Sequence, residues 1–101
     1  MKFRIPEKFK MGTILWKVEE SSGIPDENSR YGETLYLKQT VRLSHRNSPD
    51  QTRVTFLHEA IHVMDHTYKL HIKEDDVCRL AQALAQLLEQ LECDHEQKGK
   101  N

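Results

Sequence analysis

The sequence predicts one small α+β domain, in which an antiparallel sheet of about three strands packs on two helices. Three observations predict this class. Apolar residues alternate with polar ones over short N-terminal segments, which is the pattern of half-buried strands. Further along the chain, apolar residues recur at helical spacing. The 101 residues leave room for one hydrophobic core and no second domain.

The composition limits the classes of function. Charged residues make up 31% of the chain and apolar residues 37%, so the core is thin and a bound metal could help to hold the fold. A net charge of −1 gives no electrostatic case for nucleic acid or a membrane surface. There is no apolar signal-peptide core or bilayer-spanning run, and two cysteines are too few for a secreted disulfide framework. We therefore expect a cytoplasmic protein, of the producing or a host cell.

The N-terminal segments are expected to supply one strand. Residues 1–10 are charged and interrupted by a proline, so we expect a weakly ordered lead-in. Residues 11–20 place apolar side chains at alternate positions, which indicates a half-buried strand. Residues 21–28 bring Gly, Pro, Asp and Asn together, which indicates a loop.

The next two segments are predicted to form a β-hairpin. Apolar residues alternate with polar ones within residues 31–40 and again within Thr40–Ser44. No Asn-Gly pair marks the turn, which we place near residues 36–39. The four residues HRNS then link the second strand to a helix.

Two helices are predicted to complete the chain. The first begins at Ser48, a favourable N-cap followed by a proline, and ends near residues 67–68. The second begins around Glu74, with three carboxylates in its first turn, and runs to about Glu92. The polar tail over residues 94–101 is expected to fray. The predicted apolar stripes are Val54, Leu57, Ile61 and Met64 in the first helix, and Val77, Leu80, Leu84, Leu87, Leu88 and Leu91 in the second.

The first helix contains the motif H-E-x-x-H, formed by His58, Glu59 and His62 within TRVTFLHEAIHVMDH. Residues four apart on a helix lie one turn above the other, so both imidazoles can reach a single ion. Zn²⁺ suits such a site because it accepts neutral imidazole nitrogens at about 2.0–2.1 Å. Glu59 lies about 100° round the helix from His58, where its carboxylate can reach a water on the metal and act as a general base. The motif on a capped helix therefore predicts a catalytic zinc site.

A catalytic zinc site typically has three protein ligands and an open position for water, so a third ligand is needed. Asp65 shares the face of the histidines but lies about 10 Å along the axis from His58. We therefore expect Asp65 to orient an imidazole by a hydrogen bond. Glu74 and Asp76 flank the apolar stripe of the second helix on opposite sides, and both remain candidates. The weaker candidates are His66, His71, Asp75, Cys78 and His95.

The segment TFLHEAIHVMDHTYKLHIKEDDVCRLAQALAQLL resembles the core of short gluzincin-type zinc metallopeptidases, among them the ImmA/IrrE-like group and small proteins of phages and mobile elements. These families carry a metal-binding Glu on the next helix, in a pattern like E-x-x-A-x-x-F-A. The matching residues here are Glu74, Val77, Leu80 and Ala81. Cys78 replaces the Asn that often follows the first Ala in the ImmA/IrrE group. The resemblance covers roughly residues 31–91 and implies Glu74 as the third ligand, with Asp76 next.

The resemblance also implies a reaction, the zinc-dependent hydrolysis of a peptide bond with Glu59 as general base. Its substrate would be a protein or peptide lying in extended form beside Thr40–Ser44, the strand before the active-site helix. The alternative is a zinc-stabilised protein-interaction module, for example a phage or mobile-element factor, without turnover. Glu59 favours the enzyme, because a purely structural site needs no base. The candidate donors to the tetrahedral oxyanion are Tyr31, His66, Tyr68 and His71.

Overall fold

The structure, a computed structural model, describes residues 4–22, 24 and 31–100, with the backbone alone for residues 92–100. It confirms the α+β class, because a four-stranded sheet packs with two helices. Helix α1 contacts β1, β3 and β4, and helix α2 packs against α1. The elements in chain order are β1 (Lys8–Met11), β2 (Ile14–Ser21), β3 (Gly32–Leu35), β4 (Thr40–Ser44), α1 (Pro49–Tyr68) and α2 (Glu74–Lys100).

The sheet is mixed, whereas the sequence predicted an antiparallel one. Its strand order is β1-β2-β4-β3, and β2 pairs with β4 in parallel while the two other pairs are antiparallel. The parallel pair arises because β4 returns from the hairpin turn into the space between β2 and β3. The central position of β4 buries Val41 and Leu43, which are 0% and 2% exposed.

Strand β1 corrects the predicted lead-in over residues 1–10 from Lys8 onward, while residues 1–3 lie outside the described ones. It forms a tight hairpin with β2, in which Met11 pairs with Ile14 and Gly12 opens the turn at φ +63°. Glycine adopts this conformation without steric cost, which is why it is favoured in such turns. Phe9 of β1 packs edge-on against Phe56 of α1, with ring centroids 5.8 Å apart. The strand is therefore held by its pairing with β2 and by a contact from a distant part of the chain.

The predicted β3–β4 hairpin is confirmed, with its turn over residues 36–39. Gly32 begins β3 at a point where the strand lies very close to α1. A Cβ atom there would lie 2.6 Å from Thr55 Cγ2 and 2.9 Å from the carbonyl oxygen of Arg42, so only glycine fits. This close approach holds β3 along the side of α1.

Helix α1 follows its predicted boundaries. The Ser48 side chain accepts a hydrogen bond from the backbone N–H of Gln51, Pro49 occupies the first turn, and the helix ends at Tyr68. Lys69 then adopts the left-handed conformation, and its N–H bonds the carbonyl oxygen of Asp65. Leu57 and Ile61 of the predicted stripe are buried, and Val63, outside that stripe, is 0% exposed.

Helix α2 differs from the prediction in its end and in its buried face. It continues to Lys100, past the predicted end near Glu92, because residues 92–98 contain no Gly or Pro to stop it. Its buried face consists of Val77, Ala81 and Ala85, with Leu84 and Leu88 partly buried. The other predicted core residues are exposed, namely Leu80 (42%), Leu87 (51%) and Leu91 (53%). Leucine spacing alone did not identify the face, because small alanines allow α2 to approach α1 closely.

Part of the predicted loop over residues 21–28 falls on residues 23 and 25–28, outside the described ones. Ser21 is the last residue of β2, and Ile24 is buried. Over the described residues, neither helix is long and apolar enough to cross a membrane.

Candidate metal centre

The structure brings together the three predicted metal ligands, His58, His62 and Glu74. The Nε2 atom of His58 lies 2.7 Å from Glu74 Oε1, and the Nε2 atom of His62 lies 3.0 Å from Glu74 Oε2. The two Nε2 atoms are 3.2 Å apart. Among the described residues, these three side chains form the one group of His, Cys, Asp or Glu ligands that lie close enough together to share an ion.

The donor set and its spacing fit zinc. Two imidazole nitrogens and a carboxylate are ligands that catalytic zinc uses, and the site leaves a coordination position for water. Tetrahedral ligands at about 2.0–2.2 Å from one ion lie about 3.3–3.5 Å from each other. The contact between the two histidines, at 3.2 Å, is close to this spacing, and the two contacts of Glu74, at 2.7 and 3.0 Å, are shorter. An outward movement of the exposed Glu74 side chain would therefore accommodate the ion.

Asp65 positions the third ligand indirectly, which differs from the predicted role of orienting an imidazole. Its Oδ1 atom accepts hydrogen bonds from the backbone N–H groups of His71, at 2.6 Å, and Ile72, at 3.4 Å. These bonds hold the short link between α1 and α2. Because Glu74 follows that link directly, Asp65 sets where the first turn of α2 approaches the histidines.

The rival third ligand, Asp76, lies outside the cluster. Its carboxylate pairs with Arg79 on the next turn of α2, with Oδ1 2.5 Å from a guanidinium nitrogen. Cys78 is a free thiol whose Sγ lies 4.0 Å from Glu74 Oε1. Burial, together with the nearby negative charges of Glu74 and Asp75, raises the pKa of the Cys78 thiol, which keeps the thiol protonated at neutral pH. Of the weaker candidates, the side chain of His95 is outside the described residues.

Glu59, the predicted general base, is buried beside the histidines, with 7% of its surface exposed. Its Oε1 atom accepts a hydrogen bond of 2.7 Å from the hydroxyl of Thr34 on β3. The bond joins residues 25 positions apart in the chain, so no local pattern could have predicted it. It fixes the direction in which the carboxylate points, which a proton-transfer group requires.

Tyr36 is a residue of the site that sequence reasoning missed. It follows β3 and lines the same cleft as the three candidate ligands and Glu59. Its ring packs against His66, with centroids 4.5 Å apart, and edge-on against Trp16. Burial, and then the negative charges of Glu59, Asp65 and Glu74, raise the pKa of the Tyr36 hydroxyl above its usual value. The hydroxyl therefore remains a proton donor throughout the neutral pH range.

The other predicted oxyanion donors are distributed around the site. Tyr31 lines the cleft just before the start of β3, and His66 supports the Tyr36 ring. Tyr68 lies near the β1–β2 turn, where its hydroxyl is 3.9 Å from the position a Cβ of Gly12 would take. Tyr36 itself could not be identified from the sequence as such a donor, because it lies in a turn and no local pattern marks it apart from its aromatic side chain.

The candidate site opens into a cleft of about 990 Å³ that runs along α1 between β3 and α2. All six residues from Tyr31 to Tyr36 line it, including neighbours whose side chains point to opposite faces of the sheet. The cleft therefore borders the edge of β3 itself. In the described part of the chain β3 pairs only with β4, which makes β3 an edge strand.

Comparisons of the chain with protein-family models, with curated proteins and with solved structures found no match. The resemblance to gluzincin-type metallopeptidases therefore stays a prediction from the residues quoted above.

Proposed function

We propose that this protein is a zinc-dependent peptidase of the gluzincin type, acting on a protein or peptide substrate. One observation carries the proposal. Two histidines and a glutamate from separate helices converge within 4.8 Å, with a buried glutamate beside them, in a cleft that borders a sheet edge. A site that only stabilised the fold would have no need of that second carboxylate or of the cleft.

Zinc is the proposed cofactor, and His58, His62 and Glu74 would hold it. When bound, zinc lowers the pKa of water and polarises a carbonyl group, which is the chemistry that amide hydrolysis needs. Asp65 contributes by fixing the link that carries Glu74 toward the histidines.

Glu59 is proposed as the general base and then the general acid. Its carboxylate takes a proton from the water that attacks the scissile carbonyl and later delivers that proton to the leaving amine. The Thr34 hydroxyl bond to Oε1 keeps the carboxylate in one orientation for both transfers. The other oxygen of the carboxylate is then the one that exchanges the proton.

Tyr36 is proposed as the hydrogen-bond donor to the oxygen of the scissile carbonyl as it acquires negative charge. A neutral phenol suits this role, and burial together with the nearby carboxylates raises the Tyr36 pKa, so that the proton is retained. His66 and Trp16 brace the ring from two directions, which limits its movement.

The strand that would hold the substrate is β3, which corrects the expectation that Thr40–Ser44 plays this role. That segment is β4, and both of its edges are already paired, with β2 and with β3. An edge strand can accept an extended peptide through its backbone N–H and C=O groups, and β3 borders the cleft.

One observation favours the alternative, a zinc-stabilised interaction module without turnover. The outer face of α2 exposes three leucines, Leu80, Leu87 and Leu91, and exposed apolar residues at helical spacing are a common means of binding another protein. That face lies outside the cleft, so it does not account for the buried Glu59 or for the edge of β3.

A cytoplasmic location, of the producing or a host cell, also belongs to the proposal. Its support is the low cysteine count of two.

The experiment that tests the proposed function is peptide hydrolysis. We expect the zinc-loaded protein to create new termini in a mixture of proteome-derived peptides, detected by mass spectrometry. A His58→Ala, His62→Ala double variant should create none, and His45→Ala, a change of an exposed histidine outside the cleft, should behave as wild type. Cleavage by the double variant at the wild-type rate would exclude the site. Zinc binding without any cleavage would favour the interaction module.

Replacing Tyr36 by Phe removes one hydroxyl and keeps the ring contacts. We expect kcat to fall by about 10²–10³-fold, because a donor aimed at the developing oxyanion is lost, while KM and zinc content change little. Tyr68→Phe removes the same group from an exposed residue outside the cleft and serves as the matched control. An unchanged kcat in Tyr36→Phe would assign the oxyanion to another donor.

A further inference from the structure

The candidate ligands lie at one end of the cleft. On α1 the lining residues fall within residues 50–62, and on α2 within residues 74–89. His62 and Glu74 are therefore the last lining residue of one helix and the first of the other. The cleft extends from them in one direction, along α1 toward its N-terminus and along α2 away from its N-terminus.

The same asymmetry holds on the strand side. Lining residues run from Tyr31 to Tyr36, and the Tyr36 ring, packed on His66, lies at the end that also holds the ligands. Gly32 lies against Thr55, and Thr34 bonds Glu59 one turn later on α1, so β3 and α1 run in the same direction along the cleft. The far end is thus the start of β3, and the reactive end is its C-terminal end.

The long arm of the cleft matches a short extended peptide in length. From Glu74 to Glu89, fifteen residues of helix span about 22 Å at 1.5 Å per residue. A β-strand rises about 3.3 Å per residue, so about six to seven residues of substrate would fill this arm. The wall formed by α2 presents the amide side chains of Gln82 and Gln86, which can bond backbone groups of any sequence.

The direction of the substrate follows from the direction of β3. Antiparallel pairing is more stable per residue than parallel pairing and more frequent. A peptide added antiparallel to β3 runs from the reactive end of the cleft toward Tyr31. The residues that follow the scissile bond then occupy the long arm, and the residues before it lie beyond Tyr36.

We infer that the enzyme holds its substrate on the C-terminal side of the cleaved bond, with about six residues after that bond bound between β3 and α2. This inference rests on the proposed peptidase function and names its substrate class: an extended peptide segment cut near its N-terminal end. Few residues before the bond are needed, because the Tyr36 ring, packed on His66, occupies that end of the cleft.

Mapping of cleavage sites with truncated peptides tests the inference. A peptide cleaved by the wild-type protein is synthesised in two series, shortened from the N-terminus or from the C-terminus. Reducing the residues after the bond from six to two should lower kcat/KM by at least about 10-fold, while reducing those before it to two should change kcat/KM by less than about threefold. The opposite dependence would overturn the inference and leave the peptidase intact. Failure to find any peptide that the wild-type protein cleaves would overturn both.

A pair of substitutions on α2 locates the bound segment. Gln86→Trp places a large ring in the long arm, about 18 Å along the helix from Glu74, and should lower kcat/KM for the six-residue series but not for peptides with two residues after the bond. Ala83→Trp introduces the same ring at an exposed position of α2 outside the cleft and should affect neither. Equal losses on long and short peptides, or no loss in Gln86→Trp, would contradict the proposed location.

Discussion

Replacing Glu59 by Gln is expected to lower the rate of peptide hydrolysis by about 10²–10⁴-fold, because the amide cannot accept the proton of the attacking water. The corresponding rise of the activation free energy is about 3–5 kcal/mol. The fold should persist, since the amide oxygen of Gln can still accept the Thr34 hydroxyl bond that Glu59 Oε1 accepts. Zinc content should persist as well, because Glu59 is not among the candidate ligands.

Two measurements make this result specific. Thermal unfolding and elemental analysis of Glu59→Gln should match those of wild type, which separates loss of the base from loss of the fold or the metal. Thr34→Val keeps the shape of the side chain but removes the hydroxyl, and should lower kcat less than Glu59→Gln does, because the base is present but less well oriented. Full activity in Glu59→Gln would remove the glutamate from the mechanism.

Replacing Glu74 by Ala is expected to lower zinc affinity by more than about 100-fold. Residues that only hydrogen-bond to a ligand change metal affinity by about 10–100-fold, and Glu74 is proposed to be a ligand itself. Asp76→Ala removes a carboxylate from the same turn of α2, where it pairs with Arg79, and should bind zinc as wild type does. Isothermal titration of the three proteins with zinc is the measurement. A larger loss of zinc affinity in Asp76→Ala than in Glu74→Ala would identify Asp76, and not Glu74, as the third ligand.

Because Glu74 lies on α2 and the histidines lie on α1, zinc bound by all three should also stabilise the packing of the two helices. Zinc held only by the folded state at about 100 times its Kd adds about 2.7 kcal/mol of stability, and for a domain of this size chelation should lower Tm by about 10–20 °C. In Glu74→Ala the difference between zinc-loaded and chelated protein should nearly vanish. A large zinc-dependent shift that survives in Glu74→Ala would show that the ion is held elsewhere.

Helix α1 and the hairpin illustrate what could be predicted from the sequence. The Ser48 cap, the proline after it and the end at Tyr68 depend on residues a few positions apart, and the structure has all three where the sequence indicates. The turn over residues 36–39 was placed correctly for the same reason. His58 and His62 share a face because residues four apart on any helix do. Such features follow from local geometry.

Features that depend on distant segments were predicted poorly. The predicted stripe of α2 was confirmed for Val77, which is buried, but it included Leu80, Leu87 and Leu91, which are exposed, and missed the buried Ala81 and Ala85. Strand β1 was missed because part of what holds it is distant: Phe9 packs against Phe56, 47 positions further along the chain, in addition to the hairpin with β2. Asp65 was given an imidazole partner, and it bonds the backbone of the link to α2. In each case the partner was decided by packing and could not be read from neighbouring residues.

The sequence by itself determined the two histidines, the glutamate between them and the helix that carries them, because helical periodicity alone sets their relative positions. The tertiary structure decided which acid approaches them, which strand forms the edge of the sheet, and that Thr34 and Tyr36 belong to the site. Those choices depend on the order β1-β2-β4-β3 and on the contact of α2 with α1. Strand order and helix docking minimise the free energy of the whole chain, and segments with similar local patterns become different parts of the site because they pack in different places.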